Sequence, residues 1–400
     1  MTKPIFDPRA PAYKADPYRV YKDLREQAPV FQNPDGSWVI AGYDACSQIL
    51  SDRKRVRSLP PETLDRFPPG PSRDFTANAM SFLEGGDHQR VRGTMSAAFT
   101  ASALAGMQTH IQAVCDELLN DLVQRESFDF AEDFAGPFPL YVICSLLGVS
   151  RDQRELFRRA ATAVTLGQEP GASLEIFAQA DQACIELRKL LTRNIAEREG
   201  TDGTDIISLL APYQGTDRLS DDELINNLIF LLLAGHETTA TLLAFGTYTL
   251  MDQPDLADQL RANPDLVPKV VEEFLRLHPP VQFTPRFTRE EVVFGETVIP
   301  AGSQMTMLMG SANRDPSQFP NPDMVDLTRS NGMRHLTFVA GTHTCLGNNL
   351  ARMEARTAFR EILRRFPDLQ PNGPPVANTH VMFQGFAKLP VRHSAQVGHA

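Results

Sequence analysis

Cys345 ends the run Phe338-Val339-Ala340-Gly341-Thr342-His343-Thr344-Cys345, and Leu346-Gly347 follow it. Gly341 stands four residues before the thiol and Gly347 two residues after. Glycine at such positions permits positive φ and lets a flat ligand approach the main chain closely. A helical pattern begins at about Gly347 and continues through Asn349-Leu350-Ala351-Arg352-Met353-Glu354-Ala355-Arg356. The sulfur is therefore expected just ahead of a helix N-terminus, where unpaired N–H groups and the positive end of the dipole favour a thiolate. A lone thiolate held in a glycine loop suits axial ligation of haem iron. A free cysteine by itself is more often a small buried hydrophobe. The frame around Cys345, rather than the residue type, carries the chemical reading.

A second constellation is Ala234-Gly235-His236-Glu237-Thr238-Thr239, which follows the apolar run Leu228 to Ala234. It lies in the middle of a long helical segment. Ser220-Asp221-Asp222-Glu223 is a capping box, and no proline follows until Pro254. Some thirty residues at 1.5 Å each make a rod roughly 45 Å long. Gly235 costs such a helix about 0.5–1 kcal/mol relative to Ala, which points to a local opening or a close neighbour. A carboxylate and a hydroxyl directly after an apolar run are costly to bury unless paired or functional. The plainer reading is that Thr238 bonds back to a helix carbonyl and Glu237 faces solvent. A third element, Glu273-Phe274-Leu275-Arg276, sets opposite charges at i and i+3 on one helix face, and Pro279-Pro280 end that helix. An exposed pair of this kind contributes little.

The stretch from Phe338 to Gly347 resembles the haem-binding signature of the cytochrome P450 family: Phe, two residues, Gly, one residue, His or Arg, one residue, Cys, one residue, Gly. Every fixed position is met, and Val339 stands where Gly is the commoner residue. Ala234 to Thr239 resembles the family's (Ala/Gly)-Gly-x-(Asp/Glu)-Thr-(Thr/Ser) motif, and Glu273 with Arg276 resembles its Glu-x-x-Arg element. The likeness runs from Asp16-Pro17-Tyr18 to the region of Phe386 and takes in Ala312-Asn313-Arg314-Asp315-Pro316. The resemblance implies that Cys345 is the proximal ligand of haem b (iron protoporphyrin IX), framed by Phe338, Gly341 and Gly347. It implies that Glu237 supplies protons and Thr238 orders water, with Ala234 and Gly235 facing the haem. Glu273 and Arg276 become a structural ion pair beneath the haem, with Arg329 the candidate third partner. His88, Arg92, Arg286 and His343 match the donors to the haem propionates. His335 is assigned a packing or surface role.

Composition agrees with a globular protein. Four hundred residues bury a large core, and no linker, repeat or low-complexity segment divides the chain. The net charge of −10 argues against a nucleic-acid partner. The first thirty residues hold no apolar run, so neither a secretory signal nor a membrane anchor is expected there. The five scattered cysteines suggest no disulfide framework, which fits a reducing cytoplasm.

The element pattern is mainly α with a small β region. Helices are expected at 16–27, 43–50, 87–98, 102–124, 138–147, 152–166, 173–198 and 205–212, besides the long one. Strands are expected at 37–40, 281–286, 291–299, 303–309 and 380–390. Leu59 to Pro71 is read as an ordered loop. The resemblance implies the family's single triangular-prism domain over residues 1–400, with 1–15 an extended N-terminal arm.

The function so implied is that of a soluble, cytoplasmic bacterial monooxygenase that hydroxylates or otherwise oxidises a small hydrophobic organic molecule with O₂. No flavin or iron–sulfur motif is present, so a ferredoxin and its NAD(P)H-dependent reductase are the expected electron source. Arg90, Arg352, Arg356, Arg364 and Arg365 form a candidate basic docking patch. The substrate pocket is expected to draw on Phe82, on Ile229, Phe230 and Leu233, on Phe283, and on Met382 and Phe383, an apolar lining typical of ligand sites. A monomer without membrane association is expected. A peroxygenase, a biosynthetic coupling enzyme and a non-enzymatic haem sensor remain as alternatives. A zinc site on Cys345 and His343 lacks the further ligands that a tetrahedral centre requires.

Overall fold

Caps and breakers explain most element boundaries in the computed structural model, which describes residues 4–169, 171–198, 203 and 205–394. Its helices are α1 (Pro11–Ala15), α2 (Pro17–Gln27), α3 (Tyr43–Ser51), α4 (Pro71–Asn78), α5 (Gly85–Met95), α6 (Ala101–Leu122), α7 (Pro137–Leu146), α8 (Arg154–Gln168), α9 (Leu174–Ala196), α10 (Ile206–Leu210), α11 (Asp221–Asp252), α12 (Pro254–Ala262), α13 (Val267–Leu277), α14 (Met309–Ala312) and α15 (Asn348–Arg365). The strands are β1 (Val30–Gln32), β2 (Trp38–Ile40), β3 (Val56–Arg57), β4 (Ser127–Asp129), β5 (Thr284–Thr288), β6 (Val292–Phe294), β7 (Thr297–Ile299), β8 (Gln304–Met307), β9 (Gln370–Pro371), β10 (Val376–Ala377), β11 (Phe386–Lys388) and β12 (Pro390–Arg392). The mainly α chain with small sheets is the one anticipated.

Asp16 caps α2 by accepting the Arg19 N–H, with Pro17 at the first helical position. Both halves of the Ser220–Glu223 capping box are formed. Three local readings change, and one element is new. Residues 11–15 are helical rather than an extended arm, because Pro11 opens α1 and Tyr13 is drawn into the core, its hydroxyl 2.7 Å from that of Tyr21. The stretch 291–299 is a hairpin, turning at Gly295 with φ +55°. The stretch 380–390 is divided, with β11 pairing β10 and β12 pairing β4 and β9. A π-helical turn, Ala131–Ala135, precedes α7.

The chain separates into two compact units. The first comprises Met1–Pro61, Asp265–Cys345 and Thr379–Gln384. Its five-stranded sheet runs β1-β2-β8-β5-β3, with β2 and β8 parallel and the other pairs antiparallel. Val39 and Ile40 on β2 are both fully buried, so both sheet faces are covered. Val39 packs with Phe6, Tyr21, Phe31 and Phe283, and Ile40 with Cys46, Ile49 and Met305.

The second unit comprises Glu62–Pro264, Leu346–Asn378 and Gly385–Ala400. The 32 residues of α11 run through it and pack on α4, α7, α9 and α15. By length and composition α11 is apolar enough to cross a bilayer, yet 56% of its most apolar window is buried inside the protein, as in a core helix.

Glu354, on α15, is a carboxylic acid in this core. It is 2% exposed, and Oε2 has no hydrogen-bond partner. Burial raises its pKa well above the carboxylate range. Above the ordinary carboxylate pKa the unfolded chain loses this proton while the folded chain keeps it, so stability falls as pH rises through that window. Glu354→Gln keeps the shape without the ionisation. It is expected to raise the chemical-unfolding midpoint at pH 8 and to leave the midpoint at pH 4 nearly unchanged. A loss of stability at pH 8 would contradict this.

Candidate active site

The segment before Cys345 is built as a closed loop inside the first unit. The Cys345 N–H donates to the Phe338 carbonyl at 2.9 Å. Within the loop, Gly341 to His343 form a 3₁₀ turn, and the Thr344 hydroxyl donates to the Gly341 carbonyl at 2.8 Å. Gly341 has φ +74°, and a Cβ there would come within 2.5 Å of the Leu50 carbonyl oxygen at the end of α3. Only glycine fits. Gly347 has an ordinary φ of −83° and open space around it, so the conformational demand falls on Gly341 alone. Val339 has φ +60°, a strained choice for a β-branched residue. Its side chain packs against the Ile40–Met305 cluster. Helix α15 begins three residues after the thiol.

Burial singles out one thiol. Cys345 is partly exposed, whereas Cys46, Cys115, Cys144 and Cys184 are buried. Burial pushes the Cys144 and Cys184 thiols up to about 12, and those of Cys46 and Cys115 higher still. Among the five, Cys345 is the one residue not closed into the core.

The approach to the loop is anchored on α13. Arg276 is fully buried and Glu273 is 2% exposed, so this is not the weak surface pair that its spacing alone allows. Arg276 Nε and Nη2 meet the two Glu273 oxygens at 2.9 and 2.8 Å. Its remaining N–H groups donate to the carbonyls of Asn313, Pro322 and Met324. All five guanidinium donors are therefore used. Arg329 is the third partner, with Nε 3.2 Å from Glu273. Asn313, a residue given no role from sequence, ties this cluster to the loop. Its Oδ1 accepts the Leu336 N–H at 2.7 Å and its Nδ2 donates to the Thr337 hydroxyl at 2.9 Å. No spacing rule links residues 313 and 337; only their setting in the Ala312–Pro316 stretch marked the former.

In the second unit, α11 continues unbroken through Gly235, whose nearest neighbour, Ile143, stands at ordinary contact distance. The expected opening is not seen at the backbone. Instead the helix bares a stripe: Phe230, Leu233, Ala234, Glu237 and Thr238 are accessible at i, i+3, i+4, i+7 and i+8, while Ile229, Leu232 and His236 are buried. The Thr238 hydroxyl donates to the Ala234 carbonyl at 2.8 Å. With its proton so committed, the oxygen can only accept a hydrogen bond from a bound molecule. Glu237 has no ion pair among the described residues. Burial lowers the pKa of neighbouring His236, which is thus neutral near pH 7.

The other expected site residues are distributed over both units. His88 and Arg92 lie one turn apart on α5, the first buried and the second half-exposed. Arg286, on β5, is 7% exposed and donates to the Thr284 hydroxyl and the Pro285 carbonyl. His343 is half-exposed in the cysteine loop. Phe82, Met382 and Phe383 are half-buried. Of the pocket residues expected on α11, Phe230 and Leu233 lie on the accessible stripe and Ile229 is buried off it. Phe283 is 6% exposed and packs edge-to-face on Phe6, 5.5 Å between ring centres. The basic patch is also reduced. Arg90 pairs with Glu223 and Asp87, Arg364 with Glu361, and Arg365 with Asp116 and Glu361. Among the described residues, no three His, Cys, Asp or Glu side chains converge as a metal-ion cluster.

The Cytochrome P450 family model matches residues 171–396. The chain is 35% identical to 6-deoxyerythronolide B hydroxylase of Saccharopolyspora erythraea, covering 96% of this chain and 98% of that one. It is 34% identical to the cytochrome P450 monooxygenase PikC of Streptomyces venezuelae, covering 95% and 92%. Among solved structures, P450BioI in complex with an acyl carrier protein bearing hexadec-9Z-enoic acid is similar at a TM-score of 0.88 and 31% identity, covering 96% and 100%.

The chain belongs to the cytochrome P450 family. It is an oxidoreductase that incorporates one oxygen atom of O₂, and the P450 family implies a haem cofactor. The residues present fit that group: one partly exposed cysteine stands in a closed glycine loop, with the half-exposed imidazole of His343 in the same loop.

Arg276→Met leaves the Glu273 carboxylate with Arg329 and the Asp326 N–H alone, and leaves three carbonyls without their donor. It is expected to destabilise the holoprotein by about 3–5 kcal/mol, read from its urea midpoint; a loss under about 1 kcal/mol would show that the buried network is dispensable. Val339→Gly exchanges a half-buried side chain for relief of strain worth about 1–3 kcal/mol. Stability is expected to stay within about 1 kcal/mol of the parent, whereas a loss above about 3 kcal/mol would show that no strain is stored there.

Proposed function

We propose that this P450 hydroxylates, or otherwise oxidises, a small hydrophobic organic molecule, with Cys345 ligating the iron of haem b and Glu237 and Thr238 managing protons. The observation that carries the reading is the single accessible cysteine, held by a loop in which only glycine fits at 341. When bound, haem supplies the redox chemistry that splits O₂, and a thiolate ligand pushes electron density to favour that cleavage. Forming water from one oxygen atom consumes two protons. Glu237 is half-exposed and unpaired, so it can take protons from solvent and pass them inward. Thr238 offers an acceptor only, so it holds a proton-bearing ligand without releasing its own proton. His88, Arg92, Arg286 and His343 serve the propionates. Phe338 and the backbone at Gly341 and Gly347 frame the sulfur, and Ala234 and Gly235 keep the helix surface low beside a flat ring.

Phe230 and Leu233 on the accessible stripe, with Phe82, Met382 and Phe383, favour an apolar substrate. The names of the similar proteins agree with this: one hydroxylates 6-deoxyerythronolide B, and another binds a fatty-acyl carrier protein. Electrons come from a ferredoxin and its NAD(P)H-dependent reductase. The chain works as one catalytic domain, in keeping with a relative matched over 96% of this chain and 98% of its own length, and as a cytoplasmic monomer without membrane association.

Two variants test the reading. In the reduced, carbon-monoxide-bound state the parent is expected to show the strongly red-shifted Soret band of thiolate-ligated haem, and Cys345→Ser to lose it. With a hydrophobic compound that shifts the haem spin state, Thr238→Ala is expected to divert most electrons from product to peroxide. A parent without the red-shifted band, or full coupling in Thr238→Ala, would overturn the respective assignment.

A further inference from the structure

Two adjacent glutamates on α13 turn to different partners. Glu273 holds Arg276 and Arg329, whereas Glu272 reaches His335. His335 Nε2 lies 3.2 Å from Glu272 Oε2, and both residues are 6% exposed. On the other side of the ring, Nδ1 accepts the Thr337 N–H at 3.4 Å. A nitrogen that accepts carries no proton, so the ring proton belongs on Nε2, facing the carboxylate.

The imidazole also has a packing partner. Its centre is 5.7 Å from that of the Phe338 ring, tilted by 49°. Phe338 is the residue whose carbonyl receives the Cys345 N–H. Thr337 between them is fastened to the same helix, its hydroxyl donating to the Leu275 carbonyl at 2.7 Å. A continuous path therefore leads from a helix carboxylate, through a planar ring fixed on two edges, to the aromatic residue that opens the cysteine loop. A lysine or arginine at 335 could pair with Glu272 but offers no flat face of that size to Phe338. A phenylalanine offers the face but no proton.

We propose that His335, oriented by Glu272, is a positioning residue for the thiolate: it locks Phe338 and thereby the carbonyl that receives the Cys345 amide. This rests on Cys345 being the iron ligand. The role exceeds packing because it fixes the Phe338 carbonyl as acceptor of the Cys345 N–H. His335→Phe keeps a ring without the proton and His335→Gln keeps a donor without the ring, which separates the two roles.

The experiment compares haem-loaded parent, His335→Phe, His335→Gln and Glu272→Gln. Expected are retention of haem in all four, and in His335→Phe a shifted reduction potential with more of the carbon-monoxide complex lacking the red-shifted Soret band after mild heating. Glu272→Gln should show the same change in smaller degree, and His335→Gln should restore the parent spectrum in part. In the apoprotein, hydrogen–deuterium exchange at the Cys345 amide should be roughly tenfold faster in His335→Phe than in the parent. The apoprotein measurement stands even where a variant loads haem poorly. An unchanged potential, spectrum and amide exchange in His335→Phe would overturn the proposal. A parent without the red-shifted band would instead defeat the ligand assignment on which it rests.

Discussion

The guanidinium of Arg276 is the constraint on which the first unit depends. A cation with no solvent exposure is costly to desolvate, and only a complete set of acceptors offsets that cost. The set is assembled from Glu273 on the same helix and from carbonyls at 313, 322 and 324. Those carbonyls belong to irregular chain, which has no ladder of its own to satisfy it. The charge therefore gives a fixed course to a segment that propensity leaves undetermined. Arg329 and the Asp326 N–H, both on Glu273, extend the same control toward the cysteine loop.

Control of sulfur chemistry follows from burial. Five thiols share one chain, and four are made inert by the same packing that stabilises the core. The fifth escapes because its loop turns on glycine against the end of α3, leaving the sulfur partly accessible while its amide is bonded to Phe338. Specificity for one cysteine needs no special group near the thiol. It needs a loop that cannot collapse onto the core.

The local parts of this arrangement were legible in the sequence because their signals are local. The capping box at Ser220, the Glu273–Arg276 spacing and the frame around Cys345 each lie within ten residues, and the loose candidate Arg329 takes the place expected of it. What was not legible depends on contacts remote in sequence. Asn313 acts on residues 336 and 337, Glu272 on 335, and Arg365 on Asp116. The burial of Ile229 was hidden for a different reason: composition marks a residue as apolar but does not say which way a helix is rotated. Ion pairs at Arg90, Arg364 and Arg365 were hidden similarly, since counting arginines ignores the acids that stand beside them.

Rotation of α11 is the last link. A helix that is apolar nearly all round has no amphipathic pattern to orient it, so its neighbours decide. Buried Leu224, Leu228, Leu231 and Leu232 precede the motif, and Thr241 to Ala244 follow it buried. Packed at both ends, the rod has no freedom to turn in between, and the residues at 230, 233, 234, 237 and 238 share whatever face remains accessible. Thr238 then satisfies its own proton on the Ala234 carbonyl one turn back. This bond, which by itself reads as ordinary helix behaviour, is what makes the hydroxyl oxygen a pure acceptor. The back-bonding habit of Thr238 and the acceptor role proposed for it thus rest on the same geometry, with the half-exposed carboxylate of Glu237 beside it.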